Sequence, residues 1–149
     1  MNHSGMTPIV KNTARLVTGF IAVFGIYVAV TGHLSPGGGF PGGVILAAAA
    51  ALILLAFGRD KAAELITEQR CHVWDAYGAL GFLAVALCGY LAGGFFFNFL
   101  EGTGKLHELF SAGTIPLSNL AILVKVGAGL AGGFLALAAY RRARSGREA

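Results

Sequence analysis

The 149 residues are 56% hydrophobic and only 12% charged, with a mean hydropathy of +0.71 and a formal net charge of +4. A soluble domain carries about twice that charged fraction, so a water-soluble fold is excluded and an all-α integral membrane protein is predicted. The basic excess does not indicate a nucleic-acid partner, because the lysines and arginines flank apolar runs and form no water-facing patch.

The first predicted span runs from about Thr13 to Val30, "TARLVTGFIAVFGIYVAV", close to the roughly 20 apolar residues that cross a bilayer. Lys11 and Arg15 ahead of it mimic a signal peptide. The run Leu16 to Val30 is long for such a segment and leads into "TGHLSPGG" where a small-residue cleavage site would stand, so a retained helix is expected. Next comes "GHLSPGGGFPGG", Gly32 to Gly43, with six glycines and two prolines. Gly37, Gly39 and Gly42 formally satisfy G-x-G-x-x-G. The dinucleotide fingerprint needs a preceding strand and water around the pyrophosphate, whereas here a membrane helix precedes it and Pro41 lies inside it. Two readings of the stretch stand. It is a compact hairpin, with Pro36 ending the exit from the first span, or it dips to headgroup depth, where protein or a wet cavity must satisfy its backbone. In the second case His33 and Phe40 are the side chains it presents, and His33 is a candidate proton acceptor.

The second span, about Gly43 to Phe57, is short unless the glycine-rich stretch enters the membrane with it. The third is about Val73 to Phe97 and the fourth about Leu117 to Tyr140, which makes one four-helix domain over residues 1–149. Cys71 and Cys88 fall at the start and middle of one predicted helix, the one that carries the third span, about 25 Å apart by helical rise, too far for a disulfide. The connection "NFLEGTGKLHELFSAGTIP" is expected to hold a short interfacial helix with Leu106, Leu109 and Phe110 on its apolar side. Nine basic residues flank the spans at the termini and the second connection, against Lys105 alone in the other two connections. By the positive-inside rule both termini are expected to be cytoplasmic. Gly89 with Gly93, Gly129 with Gly133, and the run Ala47 to Ala51 offer small faces for close helix packing, part of it expected against partner subunits.

Lys125 is the sharpest chemical signal. It lies well inside the fourth span with no acid nearby in that helix, and intramembrane ionisable residues mark ion or proton pathways. The bland alternative is a lysine whose stem snorkels outward. Asp75, beside Trp74 and Tyr77 near the start of the third span, reads equally as a second ion-path candidate or as a wetted neighbour of headgroup anchors. Glu101, His107 and Glu108 read as external and solvated. No catalytic triad, carboxylate pair or metal-ligand cluster is visible in the sequence, so the reading is a non-enzymatic chain without cofactor or bound metal.

The segments "GHLSPGGGFPGGVILAAA" and "LFSAGTIPLSNLAILVKVGAGL" resemble the B subunit of Mrp-type multisubunit cation/proton antiporters, and the resemblance extends over essentially the whole chain. It implies a small multi-pass subunit of a cell-membrane assembly that exchanges Na+ for H+, with the other subunits and lipid as partners. B-type subunits also occur in sodium-pumping modules of hydrogenase-type redox complexes, which leaves a purely structural subunit of such a machine as the alternative. The family's turn motif falls on Gly32, His33, Pro36, Gly37, Gly38, Gly39, Phe40, Gly42 and Gly43, implying a tight turn at a subunit contact. Its ionisable position in the last helix falls on Lys125. Some members carry an acid there, so this chain reverses the charge, and Pro41 stands where relatives often have a polar residue.

Overall fold

The computed structural model describes residues 6–100, 102 and 111–145, with their side chains other than those at 60 and 141–145. No strand occurs among the described residues. The helices are α1 (Pro8–Val30), α2 (Gly39–Phe57), a short α3 (Arg59–Leu65), α4 (Glu68–Cys88) continued by a 3-10 turn (Gly89–Ala92), and α5 (Ile115–Ser145). Four of these, α1, α2, α4 with its extension, and α5, are long and apolar enough to cross a membrane. The all-α, four-span expectation agrees with this architecture. Leu106, Leu109 and Phe110 lie outside the described residues, as do Glu101, Lys105, His107 and Glu108.

The spans differ from their expected bounds for local reasons. α2 begins at Gly39, four residues before Gly43. Pro41 therefore sits in its first turn, where the missing N–H would have had no helical partner. α4 begins at Glu68, five residues before Val73. It also stops short of Phe97, because Gly93 takes φ 137° and Phe96 takes φ 60°, turning the chain back. The Phe96 N–H then donates to the Ala86 carbonyl at 3.1 Å. Phe96 packs on Phe82 with ring centroids 5.1 Å apart, and Phe95 bridges Phe96 to Tyr90. The apolar run continues to Phe97, but the positive φ at Gly93 and at Phe96 ends the helix before it.

The helices form an open row, α1–α2–α5–α4, with α5 gripped between α2 and α4 and only lightly touched by α1. In lipid no hydrophobic drive holds helices together, so small residues that permit close backbone approach do that work. A Cβ on Gly43 would fall 2.7 Å from the Val126 Cβ, and one on Gly42 would fall 2.6 Å from the Gly25 carbonyl oxygen. Alanines, Cys71, Leu123 and Leu135 make up the buried apolar set. Large side chains such as Phe20, Val23, Leu91 and Leu137 face outward, as lipid allows. One end of the row is tied together. The Met6 N–H donates to the Ala56 carbonyl at 3.0 Å, the Arg15 guanidinium lies 5.7 Å from the Phe57 ring centroid, and Arg59 pairs with Glu68 at 3.6 Å.

Candidate functional site

The antiparallel contact of α4 with α5 is set by glycine. Gly78 lies against the backbone of Lys125, where a Cβ would stand 2.6 Å from the Lys125 nitrogen, and Cys71 lies against Gly132 in the same register. That register sets Asp75 about one turn of α5 beyond Lys125, opposite residues 128 and 129, within reach of the extended lysine side chain. The Lys125 Nζ donates to Asp75 Oδ1 at 2.9 Å, an ion pair between two candidates fifty residues apart in the chain. Asp75 is seven residues into α4 and Lys125 ten residues into α5. At 1.5 Å per residue these are about 10 Å and 15 Å from the helix starts, so the pair links two helices that are each long and apolar enough to cross a membrane. The side chains remain 47% and 37% accessible for Lys125 and Asp75. Gly129 stands on the other side of the carboxylate, with its Cβ position 3.3 Å from Asp75 Oδ1. Each charge thus has a glycine across from it, which lets the helices close to hydrogen-bonding distance.

The glycine-rich stretch divides into three parts. Residues 31–36 form the turn, Gly37 and Gly38 link it to α2, and Gly39, Phe40, Gly42 and Gly43 belong to α2 itself. Gly38 takes φ 136°, a conformation open to glycine and strained for other residues. Its N–H donates to the Val28 carbonyl at 3.1 Å, closing the turn on α1. The Gly39 N–H donates to Asn119 Oδ1 of α5 at 3.3 Å. These glycines therefore serve close contacts within this chain, while Pro36 and Phe40 are exposed. His33 is half-buried in the turn. The hydrogen bond of Asp75 and Lys125 is made to each other, so the structure joins two of the three ion-path candidates and leaves His33 apart.

Reasoning from sequence missed Asn119, which anchors the start of α2 on α5, and Asn98, whose Oδ1 accepts from the Thr114 N–H at 2.9 Å just before α5. It also missed Gly78. The pair itself had a signal. Asp75 and Lys125 are an acid and a base that fall within the third and fourth predicted spans, but the sequence places Asp75 near the start of one and Lys125 well inside the other, with no register to match them.

Four membrane-length helices in a row define a multi-pass helical membrane protein, with the ion pair joining two of them. Over residues 9–132 the chain matches a family model described as a domain related to the MnhB subunit of Na+/H+ antiporter, and it belongs to that family. It is 38% identical over 130 residues to an uncharacterized protein of Methanocaldococcus jannaschii, covering 83% of this chain and 49% of that one. It is 32% identical over 124 residues to a putative antiporter subunit, mnhB2, of Staphylococcus aureus strain Newman, covering 79% of this chain and 84% of the relative. Among solved structures it superposes, with a TM-score of 0.74 and 36% identity, on a chain of the membrane-bound sulfane sulfur reductase, an archaeal respiratory membrane complex. That match covers 88% of this chain and 57% of the other. The chain thus spans about half the length of the M. jannaschii relative.

Proposed function

We propose that the chain is the MnhB-type subunit of a multisubunit complex in the cell membrane that exchanges Na+ for H+, and that the Asp75–Lys125 pair is its part of the ion path. The observation that carries the reading is the 2.9 Å contact between opposite charges inside the spans. Ionisable groups are rare at that depth and mark ion pathways. Hard cations take oxygen ligands, so the Asp75 carboxylate is the group on which Na+ would rest, and Lys125 is the competitor that occupies it. When Lys125 gives up a proton its hold on Asp75 weakens and a cation takes its place. One proton leaves as one Na+ arrives, so the charge at the pair is unchanged. Lysine suits this role because it can lose its proton, whereas arginine stays charged.

The test is Na+-driven proton exchange in everted vesicles, normalised to assembled complex. Lys125→Met is expected to abolish most exchange, and Lys125→Arg to restore little of it. Wild-type exchange in the methionine variant would remove the pair from the ion path and leave a structural subunit. A second reading, a subunit of a redox-driven pump, is supported by the fold shared with the sulfane sulfur reductase chain. It is separated from the first by the co-purifying subunits, which in that case carry redox centres.

A further inference from the structure

The Asp75–Lys125 pair is open on one side. One Nζ–H and one carboxylate oxygen are engaged, and among the described residues the pair makes no further hydrogen bond or ion pair. Acyl chains offer neither donor nor acceptor, and a lysine or aspartate at a span centre costs about 2.5–3.5 kcal/mol on insertion scales. Such groups face protein or water. The rim beside the pair is bare. Gly129 borders the carboxylate, and one turn further along α5 nothing stands within 4 Å of the Cβ position of Gly133. Backbone this open lets another helix approach closely. α4 is also the last helix of the row, so neither α1 nor α2 covers this face.

We infer that the face carrying Asp75, Lys125, Gly129 and Gly133 docks a membrane-spanning helix of another subunit, one that places a hydrogen-bond acceptor on Lys125. The inference rests on the subunit reading above and adds which face is covered and by what chemistry. Lys125 is the more accessible of the two side chains and has two spare N–H groups. The complementary group is therefore an oxygen, from a carboxylate, amide or hydroxyl, delivered by a helix seated over the two glycines. An ion pair that would be unstable against lipid is then completed by assembly.

The experiment places a spin label on Gly133→Cys, with Cys71 and Cys88 changed to alanine, and records it in the isolated chain and in the assembled complex in lipid. Assembly is expected to immobilise the label and lower its contact with dissolved oxygen severalfold, without raising contact with a water-soluble nickel chelate. High oxygen contact in the complex would mean a lipid-facing surface, and high nickel contact a wet cavity. Either result overturns the inference. Ala136→Cys, exposed on the same side of α5, gives a second position. If both labelled chains insert but fail to assemble while a label on Val23→Cys in α1 assembles, the partner occupies this face as inferred. Failure of the unlabelled chain to co-purify with any subunit would instead strike the subunit reading itself.

Discussion

Asp75 and Lys125 hold each other at 2.9 Å while each remains partly accessible, so removing one leaves the other as a charge without its partner between two apolar helices. Leaving a charged group without its partner costs about 1–3 kcal/mol or more. Asp75→Asn and Lys125→Met are each expected to lower the thermal stability of the purified complex, and the double variant to recover most of that loss, since replacing both charges removes the conflict. Exchange is expected to stay absent in the double variant. Recovery of stability and exchange together would show that the pair serves packing alone. Gly78 tests the geometry separately. A Cβ there would stand 2.6–2.8 Å from three Lys125 atoms, and overpacking of this kind costs about 1–3 kcal/mol. Gly78→Ala is expected to push α4 from α5, stretch the ion pair and reduce exchange without changing any charged group. Unchanged stability, measured by thermal unfolding, would show that the helices can shift without strain.

The link between α1 and α2 shows how an element boundary is made by one backbone conformation and one side chain. Gly38 at φ 136° turns the chain, and Asn119 receives the first N–H of α2. A β-branched residue at such a φ costs about 1–3 kcal/mol. Gly38→Val is expected to reach the membrane but to give less assembled complex, measured by co-purification in mild detergent. Asn119→Ala removes a hydrogen bond worth about 0.5–1.5 kcal/mol and is expected to have the same effect in weaker form. Full recovery of complex from Gly38→Val would mean that the turn tolerates rearrangement. The start of α2 was not legible from residue preferences, because proline and three glycines argue against helix in any local reading. Proline is neutral in a first turn, and the glycines are retained because α1 and α5 lie too close for a Cβ. That reason exists only once the neighbouring helices are in place.

At the scale of the whole molecule the row α1–α2–α5–α4 leaves large apolar side chains outward and small ones between helices. Such a surface suits lipid and partner helices alike. Its orientation is a proposal carried by the nine basic residues that flank one set of span ends. With an impermeant thiol reagent on intact cells, in a background lacking Cys71 and Cys88, Ser35→Cys in the α1–α2 turn is expected to label. Met6→Cys and Lys61→Cys are expected to be protected. Labelling of the latter two with protection of Ser35→Cys would invert the topology.

The number of spans and their all-helical character were open to reading from the sequence, because both follow from local hydropathy, and Lys125 stood out there as one charge set in an apolar run. The glycine-rich motif was equally visible, though its use was not. Three features depended on the tertiary structure: the pairing of Asp75 with Lys125, the anchoring of Gly39 by Asn119, and the row of helices that leaves one face of the ion pair open. Each joins residues distant in the chain. Their distances are set by how closely two backbones approach, and in a membrane that approach is governed by which glycines meet across the helix contact, a matter of register that hydrophobic periodicity does not encode.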